Sequence, residues 1–162
     1  MTYPDVARKR QLFQGWLASH ATYSTWLATA GQPIDPRVAT ERIARLADAQ
    51  RSPEYLYVLT ECAASKEIPA YIGKSRTPAR RWSSHLQHLA RGEKGYARWQ
   101  RRLLEQGRAV CDLKLYVIGQ HQVQAPPLEG FPTTIGALEY QLIGLAADAF
   151  TVRLLNSEGQ AR

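Results

Sequence analysis

The spacing of apolar and polar residues changes part-way along the chain, which indicates two structural units. Over residues 5–30 the apolar positions recur near helical spacing, and a second helix is predicted to begin at Asp35 and Pro36, an N-cap followed by a first-turn proline. The pattern after these helices is one of short strands and helices. We therefore predict an N-terminal helical extension over residues 1–52 and a separate domain over residues 53–162.

Short apolar, aromatic and β-branched runs in the second unit predict a small antiparallel sheet. Residues 55–60 form the first predicted strand and residues 70–73 its hairpin partner, so the polar residues 61–67 are expected to lie in a long loop between them. Residues 110–118 alternate between apolar and polar positions, which predicts a third strand with one buried face. The sequence therefore predicts a three-stranded sheet.

Three helices are predicted around this sheet. Thr77 and Pro78 supply an N-cap and a first-turn proline for a helix that reaches about residue 91, and two more helices are predicted over residues 96–106 and 135–150. Behind the two N-terminal helices the order is ββααβα. This order predicts the α+β fold class, with a small antiparallel sheet flanked by helices.

Composition changes the picture in two respects. The chain is 44% hydrophobic, which suffices for a core, but it has no run of about 18 apolar residues that would predict a membrane span. Its first residues lack the apolar segment of a signal peptide, so a cytoplasmic location is expected. The two cysteines, Cys62 and Cys111, match no metal-binding spacing and are expected to be reduced thiols.

Positive charge is concentrated in one part of the chain. Residues 74–108 contain ten of the 21 Lys and Arg residues and two of the 14 Asp and Glu residues, so this segment carries +8 and the rest of the chain −1, which together give the net charge of +7. A solvated basic helix face would have the same composition. Because the charge is so concentrated, we favour a polyanion partner whose phosphates these side chains contact.

Reactive side chains occur at positions that the predicted elements bring together. Tyr57 lies on the first strand of the hairpin, and Tyr71 lies on the second. Arg81 and His85 share one face of the following helix, and Glu139 lies beside the apolar stripe of the last helix. Arginine can clamp a phosphate, a carboxylate can hold a divalent ion, and tyrosine and histidine can orient a water and accept its proton. The set therefore suits phosphodiester hydrolysis.

The motifs in this set resemble those of the GIY-YIG nuclease superfamily. The first family motif corresponds to residues 55–57, where only Tyr57 matches, and the second is intact at residues 71–73 as Tyr-Ile-Gly. The family's arginine falls on Arg81, eight residues after the motif glycine, and its histidine falls four residues later. Its glutamate and asparagine fall on a late helix and shortly after it. The matching catalytic positions are Tyr57, Tyr71, Arg81, His85, Glu139 and Asn156.

The resemblance implies a role for each of these residues. Glu139 would bind one Mg²⁺ or Mn²⁺ ion. Tyr57 would orient or deprotonate the attacking water with His85 as the proton acceptor, and Tyr71 and Arg81 would hold the phosphate. Asn156 would support the geometry of the site or contact the nucleic acid backbone. Glu139 as a boundary carboxylate paired with a nearby arginine is the alternative.

DNA is the partner that this resemblance and the charge pattern imply. For the proposed contacts, the alternative is a charged side chain that is solvated and binds no ligand. His88 is either a DNA contact or a surface residue. The expected DNA contacts are Lys74, Arg76, Arg80, His88, Arg98, Arg101 and Arg102. Two other functions stay open: a DNA-binding module that does not cleave, and a nuclease toxin or subunit that binds a protein partner, or a second copy of itself, through the N-terminal helices.

Overall fold

The fold of residues 3–157 was taken from a computed structural model, which describes five helices and six strands in that range. The outer ends of both predicted domains, residues 1–2 and 158–162, lie outside the described residues. In chain order the elements are α1 (Tyr3–Ser19), β1 (Ser24–Ala28), α2 (Pro36–Gln50), β2 (Tyr55–Ala63), β3 (Lys66–Ser75), α3 (Pro78–Arg91), α4 (Ala97–Leu103), β4 (Leu104–Glu105), β5 (Arg108–Ala109), β6 (Asp112–Gly119) and α5 (Ile135–Ala149). The predicted α+β class is confirmed.

The main sheet is antiparallel, has the strand order β1-β6-β2-β3 and is covered on both faces. Helices α2, α3 and α4 pack on one face, which we call the α3 face, and α1 and α5 pack on the other, which we call the α5 face. In β6, Leu115 and Val117 point to the α3 face while Tyr116 and Ile118 point to the α5 face. The prediction of one buried side for this strand was therefore wrong, because helices cover both sides.

A fourth strand joins the sheet where a helix was predicted. The helix over residues 5–30 ends at Ser19, and the chain continues as β1, which pairs with β6 through Thr25 opposite Leu115. Leu27 is buried while Trp26 is 46% exposed and lies over the ammonium of Lys114. The apolar residues of this segment suit either helix or strand, and the unpaired edge of β6 decides in favour of the strand.

The N-terminal segment shares both cores with the rest of the chain. Leu27 and Ile43 lie in the core of the α3 face, and Phe13 lies in the core of the α5 face. The predicted helix at Asp35 is confirmed: the Asp35 carboxylate accepts hydrogen bonds from the backbone N–H groups of Arg37 and Val38. Helices α1 and α2 therefore form part of the two helical layers that cover the sheet.

The hairpin of β2 and β3 is longer than predicted. Residues 61–67 were expected to form a loop, but both strands continue through this segment to a two-residue turn at Ala64 and Ser65, whose φ angles are 48° and 65°. Two-residue hairpins favour such positive φ values, usually at Asn or Gly. Neither residue here gives that signal in the sequence. The polar side chain of Thr60 is satisfied by hydrogen bonding to Glu67 at 3.1 Å.

The last part of the predicted fourth helix is instead a small hairpin. Helix α4 ends at Leu103 and the chain forms β4 and β5 around Gly107, which has a φ of 77°. Predicted helices at residues 78–91 and 135–150 agree with α3 and α5 to within one residue. No helix within residues 3–157 is long and apolar enough to cross a membrane.

Candidate active site

Tyr57 and Gly73 form a cross-strand pair at the centre of the candidate site. Tyr57 is 1% exposed, and its ring lies directly over Gly73, so that a Cβ atom at residue 73 would come within 2.4 Å of Cε2 of Tyr57. No side chain fits in that space. The Tyr57 hydroxyl donates a hydrogen bond to the carbonyl oxygen of Lys74 at 3.2 Å. The glycine of the second motif therefore allows the tyrosine of the first to lie flat across the hairpin.

Tyr71 lies beside Tyr57 on the same face. Their rings stack at a centroid distance of 6.0 Å, and the ring of Trp82 meets both edge-on at 5.5 and 6.1 Å. Trp82 comes from α3 and is 1% exposed, so the helix holds both tyrosine rings against the sheet. Burial is the main cause that raises the pKa of Tyr57 and of Tyr71. Both phenols are therefore protonated at neutral pH.

Arg81 brings a positive charge to these hydroxyl groups. It follows Pro78 by one turn of α3, and its guanidinium charge acts on the hydroxyl groups of Tyr57 and Tyr71. The pKa of Arg81 is raised, chiefly by its interaction with Tyr57 and then by that with Tyr71. The Arg81 side chain remains exposed to solvent, so its remaining donors face outward, where a phosphate would approach.

His85 follows Arg81 on the same helix face but is buried, with 8% exposure. Its Nδ1 atom forms a 2.6 Å hydrogen bond with the Tyr96 hydroxyl, and its ring stacks on Trp99 at 5.3 Å. Burial, followed by the charge of Arg81, lowers the pKa of His85 to about 4. The imidazole is therefore neutral at pH 7. Its Nε2 atom has no hydrogen-bond partner within residues 3–157.

Tyr96 is a residue of the site that the sequence motifs did not reveal. It lies in the short 3₁₀ turn just before α4, in the break between α3 and α4. Besides bonding to His85, its hydroxyl interacts electrostatically with Tyr71 and Arg81, and burial is the main cause that raises its pKa. The position of Tyr96 in the sequence does not mark it as a site residue, because its role arises from its contact with His85 in the folded chain.

Glu139 extends from α5 to the same end of the hairpin. It is half-buried, and its charge acts on Tyr57 and Tyr71. Burial raises the pKa of Glu139, the neighbouring carboxylate of Glu54 raises it further, and the ammonium of Lys74 lowers it. The charges that act on Glu139 are thus a lysine and a second carboxylate. The expected alternative, an arginine partner, is not the arrangement found.

Glu54 is the second residue that the sequence analysis missed. It directly precedes β2, and one of its carboxylate oxygens lies 3.9 Å from Nε of Arg76. It has no helix or strand pattern to mark it, and its proximity to Glu139 arises only because α5 packs beside the start of β2. Glu54 therefore places a second negative charge near the candidate metal ligand.

A model of the GIY-YIG catalytic domain family matches residues 53–149, which is more than half of the chain. The chain belongs to the GIY-YIG nuclease family. The match begins just before β2 and ends at the last residue of α5, so it includes the hairpin, α3 and Glu139. No curated protein and no solved structure was found to match the chain.

Asn156 holds the GIY-YIG hairpin from outside. Its Oδ1 atom accepts a hydrogen bond from the backbone N–H of Ile72 at 3.0 Å, and its Nδ2 atom donates to the carbonyl oxygen of the same residue. Ile72 lies between Tyr71 and Gly73 on the edge strand β3. Of the two roles expected for Asn156, support of the site geometry is the one that these contacts favour.

The basic residues expected to contact DNA fall into two groups. Lys74, Arg76, Arg80 and Arg101 are exposed, the first three near the end of the hairpin and the start of α3. Arg98 is half-buried. His88 already has partners within the chain: its Nδ1 atom lies 3.3 Å from Oγ of Ser84, and its Nε2 atom lies 3.4 Å from a carboxylate oxygen of Glu93. We call the four exposed residues the basic rim of this GIY-YIG domain.

Arg102 departs from the expected DNA-contact set. Its guanidinium is 2.8 Å from the carboxylate of Glu61 and donates to the carbonyl oxygens of Pro69 and Arg153. Its side chain is only 14% exposed, because it connects α4 to the edge of the sheet. A charge-reversed residue there would disrupt the fold before it affected a ligand. We therefore assign Arg102 a structural role.

The donors available for a metal ion in this GIY-YIG domain are oxygen atoms. No group of three or more His, Cys, Asp and Glu residues within residues 3–157 is arranged to hold a metal. Mg²⁺ usually keeps several waters and binds through one or two carboxylates together with substrate phosphates. A half-buried Glu139 with Glu54 nearby fits that preference. These residues suit Mg²⁺ better than an ion that needs a complete protein cage.

Proposed function

We propose that this GIY-YIG domain is a metal-dependent DNA endonuclease that hydrolyses phosphodiester bonds. The observation that carries the proposal is the grouping of Arg81 with the hydroxyl groups of Tyr57 and Tyr71, with the charge of Glu139 acting on both tyrosines. A clamp for phosphate, polar groups for water and a carboxylate for a cation thus meet at one end of the hairpin.

Arg81 and Lys74 would bind the scissile phosphate. The guanidinium of Arg81 is solvent-exposed and interacts electrostatically with the hydroxyl groups of Tyr57 and Tyr71, so two of its N–H groups can contact phosphate oxygens. As the attacking oxygen bonds to phosphorus, charge develops on the oxygens that Arg81 contacts. A fixed donor at that position stabilises the transition state more than the substrate.

Tyr57 and Tyr71 would orient the attacking water. Because burial raises the pKa of both phenols, we assign Tyr57 to orienting the water by hydrogen bonding, and not to removing its proton. The proton acceptor in this proposal is His85, which is neutral at pH 7 and is connected to the site through the hydroxyl of Tyr96; because its pKa is lowered to about 4, it is a weak base that would hold the proton only transiently. Tyr96 is thus a positioning residue for His85.

Glu139 would hold the divalent ion, with Glu54 contributing negative charge nearby. When bound, Mg²⁺ or Mn²⁺ would polarise a phosphate oxygen and stabilise the charge of the leaving oxygen. Lys74 limits the repulsion between the two carboxylates and the phosphate, since its charge opposes that of Glu54 at Glu139. A cytoplasmic location, a homodimer and a protein partner stay predictions.

The test replaces Glu139 with Gln, which keeps the shape of the side chain and removes its charge. Cleavage of plasmid DNA in Mg²⁺ should fall by at least about 100-fold, because several kcal/mol of charge stabilisation are lost. Binding of the same DNA in EDTA should be equal or tighter, since one repulsive carboxylate is gone.

Glu41→Gln is the matched control, because Glu41 is exposed on α2 and paired with Arg37. It should cleave as the unchanged protein does. Cleavage by Glu139→Gln at the unchanged rate would show that another group holds the ion. A protein that binds DNA but does not cleave it in Mg²⁺ or Mn²⁺ would establish the alternative function, a DNA-binding module.

A further inference from the structure

A groove of about 510 Å³ runs along the outer side of α5. It lies beside Glu139, the proposed metal ligand. This volume is within the range of about 300–1,000 Å³ that is usual for pockets that take a small organic group. Its walls are mostly apolar and come from α5 and from the loop that precedes it. The residues that form them include Leu128, Phe131, Pro132, Ala137, Tyr140 and Gly144.

Two aromatic rings in this groove are exposed to solvent. Tyr140 is 80% exposed and Phe131 is 54% exposed, although most large apolar side chains of this chain are buried. Exposed aromatic rings that line one apolar groove are typical of a binding surface. Rings of this kind are also the groups on which nucleobases stack, because every base has a π-face.

The groove is held in shape by buried hydrogen bonds. Gln141 is 7% exposed, and its side-chain amide donates to the carbonyl oxygen of Pro132 at 2.8 Å and accepts from the backbone N–H of Leu128 at 3.3 Å. These bonds fasten both ends of the turn that carries Phe131 to α5. The turn that carries Phe131 is therefore held against α5 before a ligand binds, which lowers the entropic cost of binding a flat ring.

The groove lies next to the proposed phosphate site along α5. Lys74 passes over Gly136, where an added Cβ atom would lie 3.4 Å from Nζ. Tyr140 follows Gly136 by four residues, so it lies on the same helix face about 6 Å further along the axis. Glu139 directly precedes Tyr140. At the far end of the groove, Lys9 and Asp148 form an ion pair at 2.6 Å.

We infer that this groove binds an unpaired nucleobase of the strand whose phosphate lies at Lys74 and Arg81. The inference rests on the proposed endonuclease function and names its substrate class: DNA with an unpaired or weakly paired base next to the cleaved bond. A base inside a duplex would first have to leave its stack, which costs least at a mismatch, a branch or a single strand. The flat aromatic walls suit a base, and the adjoining cation suits its phosphate.

The experiment measures binding by fluorescence anisotropy in EDTA, where cleavage cannot occur. The probes are a fully paired DNA duplex and the same duplex with one bulged nucleotide. The unchanged protein should bind the bulged probe more tightly. Tyr140→Ala should weaken binding of the bulged probe by about 5- to 100-fold, the usual effect of losing one stacking ring, and leave binding of the paired probe nearly unchanged.

Three further variants separate stacking from other effects. Tyr140→Phe keeps the ring and should bind the bulged probe as the unchanged protein does. Phe131→Ala should weaken binding in the same direction as Tyr140→Ala. Trp26→Ala is the matched control, because it removes an exposed aromatic ring on the distant strand β1, and it should not change binding of either probe.

Equal binding of the two probes by the unchanged protein would overturn the inference, as would a Tyr140→Ala variant that binds both as the unchanged protein does. Gel filtration tests a second copy of the chain as occupant: a dimer that Tyr140→Ala dissociates without loss of DNA preference would also overturn it. A parallel assay in Mg²⁺ separates this failure from that of the proposed function. Cleavage of paired DNA without a bulge preference contradicts only the groove, whereas no cleavage of either probe contradicts the endonuclease.

Discussion

The two faces of the sheet use alternate residues of the same strands but differ in chemistry. On the α3 face, β2 and β3 place Tyr57 and Tyr71 against Trp82, with His85 behind them. On the α5 face the neighbouring residues of the same strands, such as Ile72, pack in a mainly aliphatic core. The buried polar groups of the candidate site thus lie on the α3 face, whereas those of the α5 face, such as Tyr116 and Gln141, bond to Glu67 and to the loop before α5.

The candidate catalytic groups of the sheet thus lie on the α3 face, whereas the core on the α5 face mainly stabilises the fold. The α3 face contains buried groups with shifted pKa values, each a cost to stability that the packing around it must offset. On the α5 face, burial and the Glu67 carboxylate raise the pKa of Tyr116, but its hydroxyl donates to Glu67, and α5 contributes Glu139 only from its outer edge. Substitutions of the site residues on the α3 face should therefore change catalysis and pH response, whereas those of aliphatic residues in the core of the α5 face should change stability alone.

The largest expected effect is that of Arg81→Ala. Removal of a fixed donor to the transition state should lower cleavage by about 100- to 1,000-fold. The melting temperature should barely change, because the Arg81 side chain is exposed.

Leu142→Ala on the α5 face is the opposite case. Leu142 is fully buried, so its truncation should lower the free energy of unfolding by about 2–5 kcal/mol. Cleavage at a temperature well below melting should be retained. A variant of Leu142 that folds but does not cleave would break the separation between the two faces.

The next effect is a pH dependence of stability that His85 creates. Its pKa is about 4 in the folded protein against 6.5 in the unfolded chain. The unfolded chain therefore binds a proton first as the pH falls. Stability from this residue is complete above pH 6.5 and decreases as the pH falls toward 4, by about 3 kcal/mol in total. Urea unfolding at pH 7 and pH 4.5 measures the decrease.

His85→Leu should flatten this pH dependence, because the titrating group is gone. Leu142→Ala serves as the control, since it should lower stability by the same amount at both pH values. An unchanged slope in His85→Leu would mean that another group causes the loss of stability in acid.

Gly73→Ala should have an intermediate effect. The added Cβ atom would meet Cε2 of Tyr57 at 2.4 Å, so the ring must move, and overpacking of this kind costs about 1–3 kcal/mol. Cleavage should fall as well, because Tyr57 shifts. Gly15→Ala on α1 is the control: nothing lies within 4 Å of its added Cβ atom, and helix propensity should make it more stable by up to about 1 kcal/mol. Thermal melting and plasmid cleavage of both variants check this prediction.

The smallest expected effect concerns the basic rim. Arg80→Ala and Arg101→Ala remove exposed charges and should each weaken DNA binding a fewfold, with the salt dependence of log K reduced by about one phosphate contact. Arg37→Ala, an exposed arginine on α2 paired with Glu41, is the control and should bind as before. Titrations at several salt concentrations distinguish the rim from a general effect of charge.

Residues whose partners lie near in sequence could be predicted well. Tyr71, Arg81 and His85 follow one another along a strand and a helix, so their spacing determines which way they point. Asp35 and Pro36 likewise marked the start of α2 because capping is local. Local rules therefore sufficed for the order of most elements and for the family motifs.

Residues whose roles depend on distant partners could not be predicted in this way. Strand β1 forms because β6 offers it an edge, and Tyr96 joins the site because α4 packs against α3. Glu54 approaches Glu139 across 85 positions of sequence, and Arg102 finds Glu61 on another element. Composition suggested a DNA contact for Arg102, but the structure shows a partly buried ion pair. These contacts arise from tertiary packing, for which the sequence pattern contains no repeating signal.

The hydrogen bonds that Asn156 and Arg102 make to β3 limit how two copies of this chain can assemble. An edge strand ordinarily exposes peptide groups that can recruit a strand of another molecule. Here Asn156 occupies both peptide groups of Ile72, Arg102 occupies the carbonyl of Pro69, and proline itself has no N–H to offer. The middle of this edge, beside the reactive tyrosine, is thus unavailable for strand addition. A pair of copies that joined through β3 would first have to displace Asn156 and Arg102.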